Sequence, residues 1–138
     1  PRAEEAFPGF ADDAAREPAM RFTASELNRR FFVAYGRVQI PLAALTLALL
    51  AIGRRRSRVR LGIATALLIL VLVCALLLTP ELLERGRAID FLPRDAETPE
   101  RSAFFRLHGI YSGLDSLKIL LLLGLAASLL RTAAPETT

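Results

Sequence analysis

Apolar and charged residues are segregated along this chain into long blocks. From Leu61 to Thr79 the sequence LGIATALLILVLVCALLLT runs for 19 residues without a charge. As a helix rising about 1.5 Å per residue it covers about 28 Å, close to the roughly 30 Å hydrocarbon core of a bilayer, so it predicts a transmembrane helix. Pro80 follows as a stop signal. A second block, about Ala34 to Ile52, is uncharged from Val38 onward. Arg37 lies near enough to its end to snorkel. Pro41 predicts a kink rather than a break, because neighbouring helices can satisfy the freed carbonyl. A third block, about Arg106 to Leu130, carries Asp115 and Lys118 internally. It still predicts a span, because its polar residues share one face and the rest is apolar.

These blocks define an all-α integral membrane helical bundle with three transmembrane helices, about 34–52, 61–79 and 106–130. Residues 1–33 form a juxtamembrane segment, 80–105 a loop and 132–138 a tail. Pro8, Gly9 and Pro18 punctuate the first segment, and Thr23 to Glu26 (TASE) reads as a capping box that starts a helix running into the first span. PELLERGRAI, from Pro80, predicts a short helix followed by a Pro-punctuated loop. The loop carboxylates Glu81, Glu84, Asp90, Asp95 and Glu97 read as a solvated face.

Charge adds an orientation. The turn between the first two spans holds Arg54, Arg55, Arg56, Arg58 and Arg60 and no acid. The positive-inside rule therefore puts turn 53–60 in the cytoplasm, loop 80–105 outside and the tail back inside. The net charge of +4 and pI near 10.2 thus report topology, and nucleic acid is not an expected partner. An external N-terminal segment with no apolar block ahead of it implies a preceding helix, which would make four in the full-length protein. A bacterial inner membrane fits this organisation. Composition agrees: 27 of 138 residues are Leu, and the mean hydropathy is +0.38 despite 23% charged residues.

The third block carries the candidate chemistry. At about 100° per residue, Leu107, Ile110, Leu114, Leu117, Leu121 and Leu125 fall on one arc, expected to face lipid. His108, Tyr111, Ser112, Asp115 and Lys118 fall on a second. Gly109, Gly113, Ser116, Gly124 and Ala127, together with Ser112, form a third arc of small residues that adjoins the second, with a GxxxG step at Gly109 and Gly113, and the two arcs are expected to pack on other helices within the monomer or in an oligomer. Counted from Arg106, Asp115 lies about 13 Å down, near the midplane. Asp115 and Lys118 are i and i+3 neighbours that can neutralise each other. Tyr35, Gln39 and Thr46 share a face of the first span, with Tyr35 and Gln39 at the depth of His108 and Tyr111. A hydrogen-bonded cluster of Tyr35, Gln39, His108, Tyr111, Asp115 and Lys118 is the candidate polar site.

One His, one Cys and one Met cannot fill a nitrogen and sulfur metal shell. Cys74, inside an all-apolar helix, reads as a small hydrophobe. No Gly-rich phosphate loop, strand pattern or convincing triad is present. Neither a cofactor nor an enzymatic activity is expected.

The segments RRFFVAYGRVQIPLAALTLALLA, LVCALLLTPELLERGR and FFRLHGIYSGLDSLKILLLLGLA, in this order, resemble the membrane domain of unknown function found in bacteria and in eukaryotic transmembrane protein 205-like proteins. The resemblance covers about Asn28 to Leu130 and rests on Thr79 with Pro80 and on Phe104 to Ser112. It implies a small polytopic membrane protein, usually with a further N-terminal helix, and no assigned reaction. Asp115 stands where that family commonly has a neutral residue such as Asn, and Lys118 also departs from its pattern. Two functions are therefore expected to compete. One is a noncatalytic structural or accessory component that packs on other membrane helices, as a homo-oligomer or in a larger complex, within the lipid bilayer. The other is a transporter-like or ligand-binding protein that uses the polar cluster.

Overall fold

The computed structural model describes residues 13–53, 57–92 and 97–133. Three helices make up the fold: α1 (Asp13–Ile52), α2 (Arg58–Ala88) and α3 (Pro99–Ala133). Each is long and apolar enough to cross a membrane, and no strand occurs among the described residues. The chain is an all-α integral membrane bundle. Arg54, Arg55, Arg56, Pro8, Gly9, Asp95 and residues 134–138 lie outside the described residues.

All three helices outrun their apolar blocks. α1 begins near Asp13, so the expected TASE cap does not form. The Thr23 hydroxyl instead donates to the carbonyl of Ala19 within the helix (2.9 Å), the back-bond that Thr makes when the chain upstream is already helical. Pro18 and Pro41 both lie inside α1 without ending it. α3 begins at Pro99, a residue suited to the first helical position, where its missing N–H is no loss.

Pro80 does not stop α2 either. Residues Val73–Leu78 form a π turn, and the helix resumes through Pro80 to Ala88. A proline in a regular helix would crowd the carbonyl four residues back. The wider turn just upstream relieves that geometry, and the Thr79 amide and hydroxyl (2.8 Å) both donate to the carbonyl of Cys74, five residues back. The inserted residue also keeps the buried seam in line. Ala64, Leu67, Val71 and Cys74 follow spacings of three and four; the next step, to Thr79, is five; then Leu82 and Gly86 resume the ordinary period. Without the π turn the half of α2 beyond Thr79 would turn its seam away from its neighbours.

α2 is the central helix. It touches both neighbours, whereas the Cα atoms of α1 and α3 nowhere come within 8 Å of each other among the described residues. On the α1 side a Cβ at Gly36 would stand 3.2 Å from that of Ala75, so glycine permits the close crossing. On the α3 side, Cys74, Leu82 and Tyr111 form a core with Phe32, Leu78, Phe104, Leu107 and Leu114 against it. At the end near turn 53–57, Arg60 donates from Nε to the Ser128 hydroxyl (2.9 Å) and from Nη2 to the Ser128 carbonyl (2.7 Å), tying α2 to α3.

The rotation of α3 differs from the expected one. Leu107, Leu114 and Leu125 face inward, and Leu125 is buried. Gly109, Gly113, Ser116 and Gly124 are exposed, and a Cβ at any of the three glycines would meet nothing within 4 Å. Tyr111 and Lys118 lie within about 40° of Leu107 and Leu125 on a 100° wheel, so burying these polar residues carries the leucines in with them. The small arc is left on the outside. The glycines used inside the monomer are Gly36 and Gly86.

Candidate functional site

Because α1 and α3 stay apart, only long side chains can join them, and four do so halfway along the spans. Lys118 pairs with Asp115 one turn away on α3, Nζ to Oδ1 2.7 Å. The same ammonium donates across the gap to Gln39 Oε1 on α1 at 2.8 Å. The Tyr35 hydroxyl reaches Asp115 Oδ2 at 3.4 Å. Lys118 Nζ also lies 5.8 Å from the Tyr35 ring centroid and 6.0 Å from that of Tyr111, within the range in which aromatic faces stabilise a cation. Lys118 is buried, with 4% of its side chain exposed, while Asp115 is 26% exposed. This is a rung between two helices, closed by groups of the chain itself.

The rung gathers Tyr35, Gln39, Asp115 and Lys118, with Tyr111 roofing it. Tyr111 packs on Phe32 (centroids 5.4 Å, 60°). Tyr35 and Gln39 therefore meet Asp115 and Lys118, one to two turns deeper than the level of His108 expected from the sequence. Counting depth from the first charged residue of each block misjudged the register, because the helices begin far upstream of those residues. Ser116 spends its hydroxyl on the carbonyl of Ser112 (2.9 Å), and Thr46 on that of Leu42 (2.8 Å).

His108 stands apart, stacked on Phe104 (5.9 Å, 16°). Its Nδ1 is buried without a hydrogen-bond partner. It lines a cavity of about 250 Å³ where the three helices converge near residues 89–98, together with Arg21, Asn28, Arg29, Asp90 and Arg101.

The side of that cavity holds an ion-pair network absent from the sequence-based expectations. Arg29 donates through Nη1 to Glu26 and through Nη2 to Asp90, both at 2.5 Å. Asp90 is therefore no solvated loop carboxylate, since only 5% of its side chain is exposed. Arg29 lies beyond the apolar stretch of α1. Burial works against its charge, yet hydrogen bonds to Asp90 and Glu26 outweigh that cost and hold its pKa above the ordinary arginine value. Gly86 makes room: a Cβ there would lie 3.4 Å from Phe104 and 3.8 Å from Arg29. A signal did exist in the sequence, because Arg29, Phe32, Gly36 and Gln39 follow three-four-three spacing along one seam of α1. Arg21 adds a bond to the Leu92 carbonyl (3.3 Å), and Phe22 stacks on Phe91 (5.7 Å).

No group of three or more His, Cys, Asp or Glu side chains able to hold a metal ion occurs among the described residues. Compared with protein-family models, curated proteins and solved structures, the chain has no match.

Proposed function

We propose that this integral membrane protein is a noncatalytic structural or accessory component, one that assembles with another membrane helix through the exposed small-residue face of α3. The observation that carries this reading is the open space at Gly109, Gly113 and Gly124. Each glycine costs a helix about 1 kcal/mol relative to alanine, and no contact among the described residues of the monomer uses that cost. In a bilayer, glycines on one face let a second backbone approach closely.

The polar rung supports the same reading from the other side. The Lys118 ammonium already faces Asp115, Gln39 and two aromatic rings, so its donors are engaged in joining α1 to α3. The resemblance of residues 28–130 to the transmembrane protein 205-like domain accords with a small polytopic membrane protein without an assigned reaction. We read the turn at 53–60 as cytoplasmic and the 89–98 end as external, on the five arginines of that turn.

The test is the double substitution Gly109→Leu with Gly113→Leu. Neither side chain would clash within the monomer, so folding is expected to persist while the assembly shrinks in a mild detergent, read by light scattering on size exclusion. An unchanged particle mass and an unchanged set of copurifying membrane proteins would remove the basis for this reading.

A further inference from the structure

One flank of the α1 and α2 pair carries two adjoining grooves, and no described residue of α3 lines either. Toward the 89–98 end, a groove of about 380 Å³ is lined by Arg30, Val33 and Arg37 of α1 and by Leu83 and Arg87 of α2. A second, of about 260 Å³, continues it toward the midplane along Ile40, Ala75, Leu76 and Pro80. Val33, Arg37 and Leu83 border both. The floor is Gly36 against Ala75, where a Cβ on the glycine would stand 3.2 Å from that of the alanine. Residues this small bring the backbones together but cannot fill the trough above their crossing. It stays open between the larger side chains on its walls.

Charge distinguishes the first groove. Arg30, Arg37 and Arg87 are exposed, and among the described residues their side chains have no ion pair or hydrogen bond. Glu26, the carboxylate on the lining, is taken up by Arg29, which also pairs with Asp90. Three free cations therefore face one surplus negative charge. Their level is that of lipid headgroups, since α1 is uncharged only from Val38 onward. Side chains tilt toward the N-terminus of their own helix, so Arg37 leans out of the hydrocarbon toward Arg30, and Arg87, near the end of antiparallel α2, leans the opposite way to meet them. Guanidinium groups match phosphate oxygens through paired, parallel hydrogen bonds. From Arg30 to Ile40 α1 rises about 15 Å, most of the roughly 20–22 Å between the headgroup surface and the midplane. Basic, then apolar, is the order that a phosphate and its acyl chain require.

We propose that the groove between α1 and α2 binds one anionic phospholipid, its phosphate at Arg30, Arg37 and Arg87 and an acyl chain laid past Val33 toward Ile40 and Leu76. The choline of a zwitterionic lipid would bring a fourth cation to the same place, whereas an anionic headgroup brings none. The site uses neither the Lys118 rung nor the small-residue arc of α3, so it exists whether or not the chain assembles through that arc.

The experiment uses the full chain purified in dodecyl maltoside, with lipid retention counted by native mass spectrometry. Phosphatidylglycerol is expected to bind about ten-fold more tightly than phosphatidylcholine of the same chains. Arg30→Gln with Arg87→Gln should abolish that preference, and Arg87→Gln alone should cut it about three-fold. Arg106→Gln removes the same charge from an exposed arginine at the same end of the bundle that lines neither groove, and should leave the preference intact. Val33→Trp fills the trough where the two grooves meet and should weaken both lipids, which keeps the test open if the double arginine variant fails to fold. Glycerol phosphate in large excess should not displace the lipid. Equal retention of the two lipids, an unchanged preference in the double variant, equal losses in Arg87→Gln and Arg106→Gln, unchanged binding in Val33→Trp, or displacement by glycerol phosphate would each overturn the proposal. Equal losses would reduce it to general surface charge, and displacement would assign the groove to a free anion.

Discussion

The ion pairs Arg29–Asp90 and Lys118–Asp115 divide the work of holding this bundle differently. Near the 89–98 end, Arg29 of α1 and Asp90 beyond α2 are 61 positions apart, and the pair itself is the link between elements. Halfway along the spans, Lys118 and Asp115 are one turn apart on the same helix, and the link to α1 is made by Gln39 and Tyr35, which are neutral. The difference follows from the solvent. A charge near the membrane surface can stay hydrated until its partner arrives, so its neutralisation can wait for the helices to assemble. A charge bound for the midplane enters hydrocarbon with its own helix, at a cost of several kcal/mol on insertion scales. An i, i+3 partner neutralises it before any neighbour is present. Crossing contacts at that depth are then left to amide and hydroxyl groups, which cost less if unmet.

That division predicts the largest effect for splitting the midplane pair. Lys118→Met leaves Asp115 without its counter-charge, and removing one partner of a buried pair costs about 3–5 kcal/mol. A marked fall in thermal stability in detergent, or loss of folded protein, is the expected outcome. Adding Asp115→Leu removes the orphaned carboxylate and should recover most of the loss, because an apolar replacement of a whole pair is often close to neutral. A double variant no more stable than Lys118→Met alone would show that local neutralisation is not what makes the pair necessary.

Splitting the outer pair should cost less. Arg29→Met leaves Asp90, whose side chain is buried, and Glu26, but at the helix ends water can follow into the space that the guanidinium vacates, so about 2 kcal/mol is expected, the value of a hydrogen bond to a charged group. Added salt should recover part of it by screening the two remaining carboxylates. If Arg29→Met proves more damaging than Lys118→Met, the contrast between the two regions is reversed. Thermal denaturation of the two variants side by side in one detergent decides it.

The two regions were also unequally legible in the sequence. Asp115 and Lys118 stand out because a charge inside an apolar block is conspicuous, and the phase of Tyr35 and Gln39 marked the facing helix. Arg29 and Asp90 lie in segments full of charge, where nothing local distinguishes a tertiary partner from a solvated residue. The three spans were legible because apolar length is a property of the sequence alone. The ends of the helices were not, since Pro80 reads as a stop unless the one-residue π insertion ahead of it is known. Nor was the inward face of α3, because a periodicity of 3.6 divides a helix into faces without saying which one meets protein. The bundle resolved that by burying Tyr111 and Lys118, which turned Leu107 and Leu125 inward and Gly109 and Gly113 outward.

The smallest expected effect belongs to the neutral half of the rung. Tyr35→Phe removes only the hydroxyl that donates to Asp115 over 3.4 Å, a long bond, and keeps the ring near Lys118. A net hydrogen bond of normal length contributes about 0.5–1.5 kcal/mol, so a loss of about 0.5 kcal/mol or less is expected, read as a barely shifted melting curve. Tyr35→Leu removes the aromatic face as well and should cost more, by the 0.5–2 kcal/mol typical of a cation over a ring. The order Phe, then Leu, then Lys118→Met follows if neutral groups join the helices and the charges neutralise one another. A Tyr35→Phe variant as unstable as Lys118→Met would instead make the crossing hydroxyl part of the charge neutralisation itself, because Asp115 would then depend on α1 as much as on its neighbour one turn away.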